Sequence, residues 1–420
     1  MIRRIQALNY RCLRYVDQSL DRFNVLVGAN ASGKTTFLDV VAFLRDLLKD
    51  GPEEAVTTRA QGRGLAELCW RGSGTRFDLA VELTIPDALR ERIGNGRAVC
   101  RYEITVAQDH LTGEIQIGAE NLWLTPDLPR IIPREAPLFP VEPTAPNQLA
   151  LAPRGQAPPG CLRVVEKESK SGNDGFHSET SAWTGVFRLG PNRAALANLP
   201  EDDSMFPVGT WAKRTLIEGV QSLSLNSLAM RQSSPSRRGS RLRDDGSNLP
   251  AVVRALRDTD PVRFSRWLAH IRTALPDVSD VGVVERQDDK ALYLEVAYST
   301  GVRVPSRLVS DGTLRLLALT LLAYILKPSP VCLIEEPENG LHPRAVETVF
   351  QSLSSVYDAQ VLVATHSPVM LGLASPESIL CFAKTETGAT DIVRGSEHPK
   401  LRDWRGEVHL SELYAAGVLG

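Results

Sequence analysis

Apolar and polar positions alternate along several parts of the chain, and this alternation predicts β-strands. Residues 5–10 (IQALNY) alternate, and residues 23–28 (FNVLVG) form a short apolar run that ends on glycine. Residues 65–108 and 161–192 contain further strand-like runs separated by turn residues, which is typical of a sheet. From residue 34 apolar residues recur every three or four positions instead, which predicts a helix directly after the 23–28 strand.

The last hundred or so residues alternate predicted helices with short, wholly apolar strands. Three such strands are residues 331–335 (VCLIE), 360–365 (QVLVAT) and 378–384 (SILCFAK). Strands without polar alternation, separated by helices, indicate a parallel sheet that is covered on both faces. The predicted fold class is therefore α/β.

The middle of the chain follows other patterns. Residues 126–159 hold ten of the 27 prolines, and proline disfavours both helix interiors and central strands, so an irregular surface excursion is expected. Residues 201–275 are predicted to be largely helical, with a polar interruption at 231–250. Residues 281–287 and 291–298 (VGVVERQ and ALYLEVAY) predict two more strands.

Composition excludes several classes of protein. With 43% hydrophobic and 23% charged residues, the 420-residue chain is an ordinary globular protein and not a disordered one. Lys plus Arg (48) nearly balance Asp plus Glu (50), so any nucleic-acid contact must come from a local patch. No apolar run approaches the ~18 residues of a membrane helix, and the start has no signal-peptide pattern. The six scattered cysteines predict reduced thiols in a cytoplasmic protein.

The strongest chemical signal lies between the 23–28 strand and the helix that follows it. Residues 28–35 (GANASGKT) fit the phosphate-loop pattern GxxxxGK[ST]. Its backbone N–H groups and the helix N-terminus attract phosphate, whereas the alternative is a chance glycine-rich turn. Lys34 is predicted to reach the β- and γ-phosphates of ATP, and Thr35 to hold Mg²⁺. The predicted nucleotide-binding residues are Gly28, Asn30, Ala31, Ser32, Gly33, Lys34, Thr35 and Thr36.

Two adjacent carboxylates, Glu335 and Glu336, end the buried strand 331–335. Ligands bind at the carboxyl ends of parallel strands, and carboxylates there can hold Mg²⁺ or polarise an attacking water. We assign Glu335 to the metal and Glu336 to the water. The alternative is a solvated pair at a strand end. Aspartate is the usual metal ligand at such a position, and glutamate is one methylene longer.

A histidine follows the next buried strand, in residues 361–368 (VLVATHSP). His366 is predicted to lie one strand away from the carboxylates and to contact the γ-phosphate as a catalytic residue. Taken alone, a histidine there is more often a satisfied group at a sheet edge.

Residues 309–313 (VSDGT) open an apolar helix and allow two interpretations. Ser310 and Asp311 are good helix caps. A helix N-terminus that carries Ser310 and Gly312 is equally a phosphate-binding surface. Both interpretations stay open.

Together these motifs resemble the ABC-type ATPase heads of the RecF/SMC class. They resemble more closely the ATPase part of the overcoming-lysogenisation-defect (OLD) family and related single-head ATPases of bacterial defence systems. The resemblance covers residues 1–50 and 300–385 and rests on FNVLVGANASGKTTFLDVV, LVSDGT, LIEEPENGLHP and VATHSP. It implies a P-loop ABC-type head with a mixed sheet flanked by helices and a central helical and β insertion. The implied parts are 1–120, 121–300 and 301–420.

The resemblance also implies that ATP is enclosed between two chains. Ser310 and Gly312 would then contact the γ-phosphate of nucleotide held by the other chain, and His366 would be the switch histidine. Residues 339–342 would lie at the subunit interface, and Arg11 would lie near the nucleotide.

Some features depart from the family pattern. The signature motif reads SDGT in place of the transporter-like SGGQ. In many such ATPases a glutamine links the bound metal to the far lobe of the head, and here Gln61 is the candidate for it. There is no long coiled-coil arm. Only 54 residues follow His366, too few for the TOPRIM nuclease of OLD proteins, so any nuclease is expected to be a separate chain.

A basic segment offers a candidate nucleic-acid contact. The segment has no acidic residue before Asp244, so its arginines can contact phosphate. It has no interleaved aromatics for base stacking, and its serines, glycine and proline make a solvated loop the simpler interpretation. The arginines are Arg231, Arg237, Arg238, Arg241 and Arg243.

The favoured function is a Mg·ATP-dependent ATPase whose heads dimerise or oligomerise and control a nucleic-acid-acting or toxic partner in anti-phage defence. One alternative is a RecF-like DNA-repair ATPase. Another is a nucleotide-dependent scaffold with little turnover. A transporter subunit is disfavoured by the SDGT signature, the unplaced glutamine loop and the 100–300 insertion.

Overall fold

The computed structural model describes residues 1–62, 64–94, 96–127, 138–153, 156–168, 174–235, 241–325 and 329–400. The expectations for Arg237 and Arg238 lie outside these residues.

Strands and helices occur in both halves of the chain, and their bounds are as follows. The strands are β1 (Ile2–Tyr10), β2 (Leu13–Ser19), β3 (Phe23–Gly28), β4 (Arg76–Thr84), β5 (Arg97–Gln108), β6 (Ile115–Pro126), β7 (Leu162–Glu168), β8 (Asp174–His177), β9 (Thr184–Phe187), β10 (Val220–Leu223), β11 (Val278–Glu285), β12 (Leu292–Tyr298), β13 (Arg303–Pro305), β14 (Val331–Glu335), β15 (Gln360–Ala364), β16 (Ile379–Lys384) and β17 (Thr390–Arg394). The helices are α1 (Lys34–Asp50), α2 (Pro52–Thr57), α3 (Leu65–Leu68), α4 (Asp87–Ile93), α5 (Pro207–Ile217), α6 (Ser227–Arg231), α7 (Leu249–Thr259), α8 (Pro261–Ala274), α9 (Asp311–Leu321), α10 (Pro343–Ser354) and α11 (Pro368–Leu373).

The strands form three sheets. The largest has the order β2-β1-β4-β5-β6-β7-β8-β9 and is antiparallel throughout. The second has the order β10-β14-β15-β3-β16-β17 and is parallel except for the β16–β17 pair. A small antiparallel sheet, β11-β12-β13, completes the set. The predicted α/β class, with mixed sheets flanked by helices, is confirmed.

The mostly parallel sheet is buried on both faces, as its uninterrupted apolar strands predict. In β3, Leu26 faces a core shared with α1 and the eight-stranded sheet. Val25 and Val27 face a second core, formed with α7 to α11. Strands from both ends of the chain thus pair in one sheet, and this pairing brings the sequence motifs to one edge.

Several local predictions differ from the structure, and β6 was not predicted. Residues 65–108 contain β4 and β5 but also two helices: α3 precedes β4, and α4 lies between the two strands. Strand β10 lies inside the stretch that was expected to be largely helical, and β17 was not predicted. Both strands have four or five residues, too few for a periodic pattern to stand out from its surroundings.

The proline-rich stretch has a structural role that its composition did not predict. As expected, its described residues between β6 and β7 contain neither helix nor strand. Residues 138–153 nevertheless lie against the polar face of the eight-stranded sheet: Leu151 N–H donates to Glu103 (3.1 Å) and Leu149 N–H to Asp78 (3.2 Å). Arg101 in turn donates to Leu149 O (2.8 Å). The segment therefore satisfies buried charged groups that would otherwise be costly.

All six cysteines are free thiols, as expected. No helix in the part of the chain that the structure describes combines the length and apolar character needed to cross a bilayer.

Gln360 joins the two large sheets through buried hydrogen bonds. Its side chain accepts from Ile2 N–H (2.9 Å) and donates to Ile2 O (2.7 Å) and Asp21 O (2.8 Å). We expect Gln360→Leu to lower the free energy of unfolding by about 2–4 kcal/mol, because buried backbone groups lose their partners. Chemical denaturation measures this, with the exposed Gln351→Leu as the matched control. A loss no larger than that of the control would contradict the assignment.

Candidate nucleotide-binding site

The phosphate loop connects β3 to α1 with backbone conformations that require glycine. Gly28 has φ of 151° and Gly33 has φ of 107°. A Cβ on Gly28 would lie 2.2 Å from Phe382 O, and one on Gly33 would lie 2.3 Å from Thr390 Oγ1. Any side chain at either position would therefore force the loop off its neighbouring strands.

Lys34 is buried, and its ammonium donates hydrogen bonds to carbonyls of the loop itself. Nζ donates to Gly28 O (2.8 Å) and Ala29 O (3.0 Å). Burial lowers the pKa of Lys34, while Glu336 and Glu335 act in the opposite direction. Ser32 Oγ is buried and has no hydrogen-bond partner among the described residues. A buried cation and an unsatisfied hydroxyl in one loop fit an anionic ligand.

Residues far apart in sequence meet at the mouth of this loop. Thr35 Oγ1 donates to Glu335 Oε2 at 2.6 Å, although 300 positions separate the two residues. Thr35 lies at the start of α1, just after β3, and Glu335 ends β14; in their sheet the two parallel strands are separated by β15. A hydroxyl and a carboxylate oxygen are ligands that Mg²⁺ accepts alongside water, so these two residues fit that ion.

Glu336 adopts a backbone conformation that is rare for a residue with a side chain. Its φ is 44°, in the left-handed region, and its N–H donates to Ala364 O (2.7 Å) at the end of β15. Asn339 donates from Nδ2 to Glu336 Oε2. Strained residues of this kind concentrate at functional sites because surrounding contacts hold them in place.

His366 follows β15, between the phosphate loop and the two carboxylates. Its backbone N–H donates to Glu338 Oε1 (2.8 Å), and Thr365 Oγ1 donates to the same oxygen (2.6 Å). Burial and then Lys34 lower the pKa of His366, against the influence of Glu336 and Glu338. The imidazole is therefore mainly neutral at pH 7 and can both donate and accept a hydrogen bond.

These groups line one cleft of about 450 Å³. Its described lining includes every predicted phosphate-loop residue from Asn30 to Thr36, together with Glu335, Glu336 and His366; Gly28 lies just behind it, bonded to Lys34. Arg11 lines the cleft too, as the resemblance implied. Cys12, Ala364 and Lys384 were not predicted. Lys384 ends β16, the parallel neighbour of β3, so the strand-end rule that singled out Glu335 would also have found it.

Ser310 and Gly312 are not among the described residues that line this cleft. Ser310 is the N-cap of α9, and its Oγ accepts from Thr313 N–H (3.2 Å). A Cβ on Gly312 would lie 2.5 Å from Gly340 O. The start of α9 is thus packed tightly against the loop that follows Glu336, and the capping interpretation of Ser310 is confirmed.

Two arginines of the basic segment make internal contacts. Arg231 pairs with Asp311 (2.7 Å) and donates to Val309 O (3.0 Å), which fixes the start of α9. Arg241 donates to Val220 O (3.2 Å). Arg243 is exposed. Gln61 is also exposed and is not among the residues that line the cleft.

A larger cavity of about 1510 Å³ lies beside α1 and β10. Its charged lining mixes cations such as Arg45 and Arg241 with anions such as Asp46 and Asp244, and it contains no phosphate-loop residue. Arg45 already pairs with Asp46 (2.8 Å). The smaller cleft is therefore the better candidate for the chemistry.

Comparison with known proteins supports this choice. A family model described as "AAA domain, putative AbiEii toxin, Type IV TA system" matches residues 23–93 and 220–372, more than half of the chain. The matched ranges include the phosphate loop, α9, Glu335, Glu336 and His366. No curated protein matches the sequence.

Two solved structures share the fold. One is the Smc head bound to the C-terminal winged-helix domain of ScpA, with 14% identity, a TM-score of 0.54 and coverage of 93% of this chain and 97% of that one. The other is the Smc head domain with an extended coiled coil bound to the C-terminal domain of ScpA, derived from Pyrococcus furiosus. It has 13% identity, a TM-score of 0.50 and coverage of 93% and 95%. These likenesses confirm the predicted α/β head fold, with sheets flanked by helices.

Proposed function

The chain belongs to the AbiEii-type AAA domain family, and from this premise we propose that it binds ATP with Mg²⁺ in the cleft and hydrolyses it. The observation that carries the proposal is the hydrogen bond between Thr35 and Glu335 at 2.6 Å. It joins the phosphate loop to the acidic strand end, as a shared metal would require.

Several residues of the cleft have definite roles in this proposal. Lys34 and the loop N–H groups bind the β- and γ-phosphates, and Thr35 and Glu335 hold Mg²⁺, which neutralises phosphate charge when bound. Glu336 orients the attacking water and accepts its proton. His366, neutral at pH 7, donates a hydrogen bond toward the γ-phosphate. Arg11 and Lys384 supply positive charge at the cleft wall.

We further propose that two chains enclose the nucleotide. The start of α9 is held rigidly by Arg231 and by its packing on Gly340, yet it is not part of its own chain's cleft. A rigid helix N-terminus of this kind suits the phosphate of a neighbouring chain. Residues 339–342 would lie at that interface, since Gly312 packs on their backbone.

The proposed output is control of a separate effector, such as a nuclease or a toxic protein, in cytoplasmic anti-phage defence. This part rests on the resemblance to OLD-like ATPases. Direct binding of nucleic acid is less well supported, because Arg231 and Arg241 make contacts within the chain.

Light scattering after size-exclusion chromatography tests the two-chain arrangement. Glu336→Gln should bind Mg·ATP without turnover and shift to a larger mass, because the closed state accumulates. Adding Ser310→Arg should abolish the shift, whereas Ser354→Arg, at an exposed serine of α10, should leave it intact. A mass that ATP does not change would contradict enclosure between chains.

A further inference from the structure

Strand β9 is the last strand of the eight-stranded sheet and pairs, among the described strands, with β8. The outer edge of such a strand carries backbone N–H and C=O groups that can pair with another strand. Proteins usually block an edge of this kind with charged residues or proline. Residues 183–187 (WTGVF) contain neither, so the strand itself does not block this edge.

The side chains around this edge are large, apolar and exposed. Trp183 is 40% exposed, Val186 62% and Phe187 45%. Side chains alternate along a strand, so Trp183 and Phe187 share a face with Gly185. A Cβ on Gly185 would lie 2.3 Å from the Trp183 ring and 2.9 Å from the Phe187 ring. The two rings therefore converge over a position that only glycine can occupy.

The backbone of β9 has its free hydrogen-bonding groups at two positions. Ser178 N–H donates to Trp183 O (2.9 Å), so this residue pair is a hydrogen-bonded one. Hydrogen-bonded pairs alternate with open pairs along an antiparallel ladder. His177 stands opposite Thr184, one position further on, in an open pair. The N–H and C=O groups of Thr184 and Val186 therefore point away from β8.

We propose that β9 pairs antiparallel with β9 of a second copy of this chain, about a twofold axis at Gly185. A twofold axis perpendicular to the sheet keeps every residue on its own face, so the centre of the pairing must fall on a residue. With Gly185 at the centre, Trp183 stands opposite Phe187 of the second copy. Thr184 then stands opposite Val186, and their outward backbone groups bond to each other.

This register favours a second copy over an unrelated strand because it is self-complementary. The two aromatic pairs fall at open positions of the ladder, where opposed side chains are closest. Between them lie two glycines, so four rings can pack over a backbone floor without a central side chain. On the other face, two β-branched pairs form.

The size of the edge sets the strength of the contact. Four strand residues bury far less than the ~800 Å² per partner of a stable interface. The β9 dimer is therefore weak and depends on protein concentration, but it does not depend on nucleotide. Combined with the enclosure of ATP at a different surface, it would give each chain two distinct twofold contacts and assemblies larger than a dimer.

Sedimentation of the full chain without nucleotide, over a range of protein concentrations, tests this proposal. Val186→Lys puts a charge on the edge, and Thr184→Pro removes an N–H that points away from β8. Each should raise the dimer dissociation constant at least ~10-fold. Val262→Lys, at a residue 63% exposed on α8, is the matched control and should leave it unchanged.

Cross-linking tests the register and does not require a destabilising substitution. The double variant Thr184→Cys with Val186→Cys should form disulfides between two chains under mild oxidation, since these positions face each other about 5.5 Å apart between Cα atoms. Neither single variant should do so. A wild type that stays monomeric at all concentrations would overturn the proposal. So would a dimer that neither edge variant weakens, or a double variant that cross-links no better than the single ones.

Discussion

Glu336→Gln is expected to lower ATP turnover about 10²–10³-fold while ATP still binds, because removing a general base costs about that much. The amide has the same shape as the carboxylate but cannot accept a proton from water. The backbone conformation at residue 336, held by the N–H bond to Ala364 O (2.7 Å), keeps the side chain at the cleft in both the wild type and the variant. The loss should therefore appear in the chemical step and not in binding.

Phosphate release and ATP titration, measured on the same preparations, separate these two effects. Glu347→Gln, at an exposed residue on α10, is the matched control and should behave as wild type. A variant at Glu336 that keeps half or more of the wild-type turnover would assign the water to another group. A wild type without measurable turnover would instead favour the scaffold hypothesis, in which ATP is a structural ligand.

The parts of the site that lie in one continuous stretch could be predicted from sequence. Residues 28–36 form the phosphate loop because each glycine meets a local conformational need. Glu335 and His366 needed one further step, the rule that parallel strands present their carboxyl ends at a common edge. Their convergence on Lys34 and Thr35 follows from that rule once the three strands share a sheet.

The same rule, applied to the predicted strand 378–384, would also have found Lys384, but it gives no reason to place Cys12 at the cleft. Lys384 reaches the cleft because β16 pairs with β3, with Phe382 opposite Gly28. Cys12 reaches it because its carbonyl accepts from Thr390 N–H (3.0 Å), beside the phosphate loop. The contact of Cys12 leaves no pattern in the sequence, since it joins residues hundreds of positions apart.

The local charge pattern did not indicate which arginines make contacts inside the protein. The cluster of arginines from residue 231 suggested a solvated or nucleic-acid-binding loop. Arg231 instead pairs with Asp311, which lies 80 positions away and gives no sign of this in the local sequence. A run of like charges is thus compatible with internal ion pairs, and only tertiary structure distinguishes the two. The proline-rich segment makes the same point, because composition excluded regular structure without revealing the buried carboxylates that it satisfies.

Lys34→Ala is expected to weaken ATP binding at least ~10²-fold, since hydrogen bonds to a charged group contribute about 1.5–3 kcal/mol each. The loop loses a buried cation that already bonds to Gly28 O and Ala29 O and is poised for phosphate. Titration with ATP measures the loss. Lys49→Ala, at an exposed lysine near the end of α1, is the matched control and should bind as wild type.

The lowered pKa of Lys34 also predicts how ATP affinity depends on pH. Burial lowers the pKa of Lys34 in the free protein, whereas bound polyphosphate favours the charged ammonium and raises that pKa. Binding is then coupled to proton uptake, so wild-type affinity should fall as the pH rises through the lowered pKa of the free lysine. Lys34→Ala should have weak affinity without this alkaline fall. An alkaline fall of the same size in wild type and variant would show that another group titrates, and affinity close to wild type in Lys34→Ala would remove the phosphate loop from ATP binding altogether.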